Sequence, residues 1–218
     1  MKPVIYFDWD GTLADSMNLC FEEVRVTLER MGLSPRTDEQ IRRCNGPAFD
    51  ACVEILDVPR EMAKEFLRVR QETELDIIET QQRLFSGVAE MVASLRQDAD
   101  LAIVSNGMPE YIRRSLRVTG LEGQFVRWEA FRPGRTKTEA LARMLEEMKP
   151  RAACMVGDCV GDIEAGKANG LYTLGAGYGY GTPEERRAAD AVACSVKELE
   201  ETLREWAISH TNEQEVLT

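Results

Sequence analysis

Three short apolar runs punctuate the chain: Val4-Ile5-Tyr6-Phe7, Leu101-Ala102-Ile103-Val104 and Ala153-Cys154-Met155-Val156. Each is too short for a helix and continuous enough for a strand buried on both faces. Leu171 to Leu174 predicts a fourth strand, and Phe125 to Trp128 is a shorter candidate. Between them, apolar residues recur at helical spacing over Val88 to Leu95, Pro109 to Val118, Lys137 to Met148 and Ile163 to Asn169. Gly170 ends the last of these. Thr182-Pro183-Glu184-Glu185 offers an N-cap, a proline at the first helical position and a capping-box glutamate. Ser195 and Glu198 repeat the capping-box spacing for a final helix ending near Trp206. The polar stretch Ser209 to Thr218 is expected to fray.

The stretch between the first two strands has a different character. Met17 to Met31 carries Leu19, Phe21, Val24, Val26, Leu28 and Met31, with Gly32 as a C-cap. Thr37 and Gln40 form a capping box. Phe49 to Leu56 predicts another helix, and Pro59 opens a long one reaching about Ile78. Its charged residues Arg60, Lys64, Arg68, Arg70, Glu72 and Glu74 predict a solvated face laced with i,i+4 pairs. Residues 16–82 thus predict helices alone, inserted into a strand-helix alternation formed by residues 1–15 and 83–218. That alternation implies an α/β fold: a Rossmann-like, doubly wound parallel sheet with an inserted α-helical cap. In such sheets the ligand site lies beyond the carboxyl ends of the strands, where strand order reverses.

Length and composition agree with one globular unit carrying an insert: 218 residues, 44% hydrophobic and 30% charged. The net charge of −11 argues against nucleic acid or an anionic membrane as partner. No apolar run approaches the length of a membrane span. The six cysteines contain no Cys-x-x-Cys pair, and no signal peptide is recognisable, so reduced thiols in a cytoplasmic protein are expected. A monomer or a homodimer fits equally well.

Polar residues follow three of the strands. Asp8 and Asp10 come after the first, Ser105 and Asn106 after the second, Asp158 after the third, with Asp162 four residues on. Burying carboxylates costs several kcal/mol each unless something pairs with them, so acids at the end of an apolar run mark a site rather than a core.

Asp8-Trp9-Asp10-Gly11-Thr12 resembles the first motif of the haloacid dehalogenase-like hydrolase superfamily, in its phosphatase branch. Ser105-Asn106-Gly107 resembles the second motif and Gly157-Asp158 with Asp162 the fourth. Lys137, which opens a helix, is chosen for the third, with Arg132 of Arg132-Pro133-Gly134-Arg135 as the alternative. The helical insert and Gly177-Tyr178-Gly179-Tyr180-Gly181 resemble the phosphoglycolate phosphatase-like subgroup. The resemblance spans essentially the whole chain and implies a phosphatase acting on a small phosphorylated metabolite.

The residue chemistry runs the same way. A carboxylate such as Asp8 can attack phosphorus and form an aspartyl-phosphate. Asp10, on the same side of an extended chain, could protonate the leaving oxygen and then activate water. Thr12, Ser105, Asn106 and Lys137 are the candidate phosphoryl-binding residues. Four acids crowded together require a cation, and oxygen ligands with a phosphate substrate favour Mg2+. The resemblance implies ligation by the Asp8 carboxylate, the Asp10 carbonyl and Asp158. Asp162 would act indirectly, orienting water or Lys137, with helix capping as its alternative role. In the insert, Cys44-Asn45-Gly46-Pro47 is the candidate loop over the mouth, and Arg42 or Arg43 could meet a second anionic group. Trp9 belongs in the core, Tyr178 and Tyr180 in loop packing, and the lone His210 outside the chemistry. A sugar phosphomutase would use the same parts, and a non-catalytic binding protein on this scaffold is the alternative of another class.

Overall fold

The computed structural model describes residues 2–212. Six parallel strands form one sheet: β1 (Val4–Phe7), β2 (Asp100–Val104), β3 (Arg127–Glu129), β4 (Ala153–Gly157), β5 (Tyr172–Ala176) and β6 (Ala191–Ala193). Their order is β3-β2-β1-β4-β5-β6, so strand order reverses between β1 and β4. β1 is hydrogen-bonded on both sides, with Val4 beside Asp100 and Ala153. All four of its residues are buried, as a central strand covered on both faces requires.

Alternate residues of the strands feed two cores. Ile5, Phe7, Leu101, Ile103 and Val156 face α5 (Val88–Leu95), α6 (Pro109–Val118) and α10 (Val196–Asn212). Val4, Tyr6, Ala102, Val104 and Met155 face α7 (Lys137–Met148) and α8 (Val160–Ala168). A four-residue helix, α9 (Pro183–Arg186), starts at the Thr182–Glu185 capping box. Trp9 lies in the first core, fully buried.

The chain leaves the sheet at Leu13–Asp15 and returns at Arg83–Phe85. These two crossings lie side by side, with Phe85 N–H donating to the Leu13 carbonyl and Asp15 N–H to that of Arg83. Between them run α1 (Met17–Arg30), α2 (Asp38–Arg42), α3 (Cys52–Ile55) and α4 (Ala63–Gln81). They close around their own apolar cluster, which includes Val24, Leu28, Ile41, Leu56 and Phe66. α4 also rests on α6, where the Arg114 guanidinium donates to the Leu75 carbonyl at 3.2 Å. No helix among the described residues is long and apolar enough to cross a membrane.

Several boundaries differ from those the pattern predicts. α10 runs to Asn212, so residues 209–212 continue the helix, where Trp206 and His210 stack at 4.8 Å; residues 213–218 lie outside the described residues. β6 was hidden because three residues at a sheet edge carry too little periodicity. α8 begins at Val160 rather than Ile163, which places Asp162 in its first turn. Phe49 to Leu56 splits into a 3-10 turn over Phe49–Ala51 followed by α3.

The larger correction concerns α4. Arg70 and Glu74 are not on a solvated face but are buried, at 5% and 4% exposure. Phe66, Arg70, Thr73, Glu74 and Ile78 form one stripe at helical spacing. Burial of Phe66 and Ile78 therefore carries the two charges inward.

Ile103 in β2 is fully buried in the first core. Ile103→Ala should cost about 2–5 kcal/mol of unfolding free energy, read as a lowered urea midpoint. A loss below about 1 kcal/mol would contradict its core placement.

Candidate active site

The carboxyl end of β1 abuts those of β2 and β4, so the residues that follow these three strands meet. Asp8 extends the ladder by one bond, its N–H donating to the Val156 carbonyl. The backbone then turns so that the Trp9 carbonyl accepts from Leu13 and Ala14, with Gly11 at φ +80°. A β-carbon at Gly11 would lie 2.4 Å from Asp158 Oδ2, so glycine allows this turn to press against Asp158.

Lys137 stands at the start of α7, placed there by a reciprocal capping box between Thr136 and Glu139. A cation at a helix N-terminus is opposed by the helix dipole. Here the side chain is held instead by two buried acids, Asp8 Oδ1 at 2.7 Å and Asp162 Oδ1 at 2.5 Å. Burial opposes the ammonium charge, but Asp162 and Asp8 outweigh it and keep Lys137 above the ordinary lysine range. Arg132 is exposed and pairs with Glu129 at 3.1 Å, outside the site. The two candidates for the third-motif position are thus separated by geometry.

Asp162 uses both oxygens. One holds Lys137, and the other accepts the Cys159 N–H at 3.0 Å, capping α8. The two alternatives for this residue coexist. Asp158 is fully buried, and its Oδ2 accepts the N–H groups of Tyr180 at 2.7 Å and Gly181 at 3.0 Å. A β-carbon at Gly179 or Gly181 would collide with Asp158 or with the Gly11 carbonyl, so the glycines of this loop let its backbone reach the acid. Tyr178 donates to the Thr12 carbonyl and Tyr180 to Asp15, and both rings pack on Phe85. These are loop-packing contacts, although Tyr180 also borders the outer cleft described below.

Asp158 Oδ1 is buried and has no hydrogen-bond partner among the described residues. Burial raises the Asp8 carboxyl well above its ordinary range, and Asp162 adds to this while Lys137 counteracts it. Asp158 is raised for the same reasons, burial first and Asp162 second. Buried, mutually repelling carboxylates with an unpartnered oxygen fit a hard divalent cation. Cys159 stands close to Asp158 and Asp162, but burial pushes its thiol up, away from the thiolate a soft metal needs.

Two cavities open onto these residues. The inner one, about 50 Å³, is floored by Asp8, Asp10, Ser105, Asn106 and Tyr111. Its roof is Glu23 of α1 and Arg70 and Glu74 of α4. The outer cleft lies between Lys137 and Asp162 on one side and Arg42 and Arg43 on the other. The Cys44–Pro47 loop separates them: Asn106 Nδ2 donates to the Gly46 carbonyl at 2.9 Å, and Asn45 Nδ2 to Ser16 Oγ at 3.3 Å. Ser105 Oγ accepts the Gly107 N–H at 3.0 Å. Thr12 is fully buried, and it is not among the residues that line either cavity.

Asp10 Oδ1 accepts the Tyr111 hydroxyl at 2.6 Å, and Gln82 Oε1 lies 3.2 Å from that hydroxyl oxygen. Burial raises the Asp10 carboxyl, opposed by hydrogen bonds from Ser16 and Tyr111. A carboxyl raised in this way at a cavity wall is suited to acid–base work. Tyr111, Glu23, Arg70 and Glu74 were not anticipated. Tyr111 sits five residues beyond Asn106 on a helix whose apolar face gives no hint of a hydroxyl contact.

The chain matches the haloacid dehalogenase-like hydrolase family model over residues 5–176. It belongs to that family. It is 28% identical over 183 residues to a phosphoglycolate phosphatase of Aquifex aeolicus, covering 81% of this chain and 85% of that one. It is 27% identical over 210 residues to the tyrosine-protein kinase PtkA of Mycobacterium tuberculosis, covering 92% and 72%. A crystal structure of a predicted phosphatase from Clostridium acetobutylicum superposes with a TM-score of 0.84 at 21% identity, covering 94% and 99%. The family and its phosphatase-named members make this chain an enzyme of the phosphatase type.

Glu74 yields a pH prediction. Its Oε2 is buried without a partner among the described residues, and burial raises its carboxyl well above the ordinary 4.5, with Glu23 adding to the rise. A raised acid favours the folded state below 4.5 and loses that contribution as pH climbs through its folded value. Glu74→Gln removes the titration. The variant's melting temperature relative to wild type should therefore rise between pH 5 and pH 8, measured without divalent cations. A pH-independent difference would contradict the buried, unpaired state of Glu74.

Proposed function

We propose that this enzyme hydrolyses a small phosphomonoester through an aspartyl-phosphate on Asp8, with Mg2+ as cofactor. The observation that carries the reading is the joint placement of Asp8 and Asp10 on one cavity wall with Lys137 2.7 Å from Asp8. Asp8, Asp158 and the Asp10 backbone carbonyl would hold the metal, whose charge would offset that on the phosphoryl oxygens. Asp162, whose oxygens accept from Lys137 and the Cys159 N–H, would act indirectly by orienting Lys137.

In the first step an Asp8 oxygen forms a bond to phosphorus as the ester P–O bond breaks. The leaving oxygen takes the proton that Asp10 carries, and Tyr111 steadies the resulting carboxylate at 2.6 Å. In the second step Asp10 accepts a proton from water as the water oxygen attacks phosphorus, which frees the Asp8 carboxylate and inorganic phosphate. Lys137, Ser105 and Asn106 hold the phosphoryl oxygens, and Lys137 supplies fixed positive charge where negative charge accumulates. Residues 16–82 serve as the cap, closing the inner cavity and excluding water from the acyl-phosphate until the alcohol departs.

Passing the phosphoryl group to an organic hydroxyl would make the same residues a mutase or a kinase, so product identity matters. Phosphate release should require Mg2+ and fall by about a thousandfold or more in Asp8→Asn. Asp10→Asn should lower kcat by about 10²–10⁴-fold. Release that survives Asp8→Asn contradicts the mechanism, and a phosphorylated organic product without inorganic phosphate replaces hydrolysis with transfer.

A further inference from the structure

The inner cavity has an unusual charge balance for a site expected to hold an acidic metabolite. Its walls are Asp8, Asp10 and Tyr111 from the sheet side and Glu23, Arg70 and Glu74 from the helices. Arg70 is the one cationic side chain among the described residues that line it. That guanidinium is already engaged. Its Nε donates to Glu23, its Nη1 donates to the Phe49 carbonyl at 3.1 Å, and its plane lies 4.3 Å from the Phe49 ring centre. Glu23 thereby matches the charge of Arg70 inside the roof. Glu74, one turn along α4, has its Oε2 shielded from solvent and without a partner among the described residues.

The position of Asp10 fixes which cavity receives the alcohol half of the ester. A proton delivered by Asp10 must reach the leaving oxygen, so the leaving group extends past Asp10 into the inner cavity rather than the outer cleft. At about 50 Å³ that space admits a few water-sized groups. We propose that Glu74 is the specificity residue of this cavity, and that it selects short phosphomonoesters whose alcohol carries hydrogen-bond donors, hydroxyl or ammonium, and no second anionic group. The inference rests on the assignment of Asp8 and Asp10 above. A donor on the substrate meets the Glu74 carboxyl at the cavity wall, where the protein supplies its Oε2 with no partner among the described residues. A second carboxylate or phosphate would give up its water there with no unengaged cation among the described lining residues to match it. Arg42 and Arg43 cannot supply that match here, because they face the outer cleft.

The test uses full-length Asp8→Asn protein, which keeps esters intact, and titration calorimetry in Mg2+. The probes are glycerol 3-phosphate and O-phosphoethanolamine, against 2-phosphoglycolate and pyrophosphate. The donor-bearing pair should bind at least about tenfold more tightly than the anionic pair. Adding Glu74→Leu should bring the two classes within about threefold. Adding Glu74→Gln should retain the hydroxyl ester and weaken the ammonium ester, which separates the two donor chemistries. Tighter binding of 2-phosphoglycolate or pyrophosphate, no binding of either donor-bearing ester, or discrimination that survives both Glu74 changes overturns the proposal. Wild-type phosphate release, measured in parallel, keeps the two readings apart. Asp8-dependent release from the anionic esters alone leaves the phosphatase mechanism standing and removes the Glu74 assignment.

Discussion

Lys137 holds two buried carboxylates at once, and the site is built on that contact. Asp8 follows β1 and Asp162 lies in the first turn of α8, and each is nearly inaccessible to solvent. Two such charges about 4 Å apart would repel by roughly 4 kcal/mol at an effective dielectric of ~20. One ammonium at 2.7 and 2.5 Å turns that repulsion into two charge-assisted bonds. It leaves Asp158 with one oxygen on backbone N–H groups and one unpaired. The deficit that remains is what a divalent cation would remove, so charge balance links the fold to the proposed cofactor.

Strand order decides where this balance is struck. The reversal between β1 and β4 opens the end of the sheet where the acids following those strands meet. Close approach there demands small residues. Gly11 and Gly179 leave room for two backbone segments and Asp158 to share space that a β-carbon would fill. The helices between β1 and β2 add a second layer with its own charge pairing, Glu23 with Arg70. That pair lines the same cavity as Asp10, so under the proposed mechanism the residues meeting the alcohol half of a substrate would come from a different part of the chain than those meeting phosphorus.

Much of the first layer was legible in the sequence. Asp8, Asp10, Ser105, Asn106 and Asp158 announce themselves because polar residues directly after apolar strands have no folding rationale. Lys137 was legible as a helix opener, but its superiority over Arg132 needed the third dimension: only Lys137 points back at Asp8. Motif spacing alone does not say that the turn buries the Thr12 side chain. The second layer was hidden by a rule that usually works. Charged residues on a long helix are normally solvated, and that rule places Arg70 and Glu74 in water. The stripe from Phe66 through Ile78 contained the contrary signal, two ionisable residues at apolar spacing. Tyr111 could not be found from pattern at all, because its contact with Asp10 joins positions 101 residues apart.

The central claim is that Asp8 carries the phosphoryl group between the two chemical steps. A rapid acid quench during turnover of a 32P-labelled phosphomonoester, followed by peptide mapping, tests it most directly. The account predicts label on the peptide containing Asp8, lost on treatment with hydroxylamine as an acyl-phosphate must be. Full turnover with no protein-bound label, or label on a peptide lacking Asp8, would contradict it.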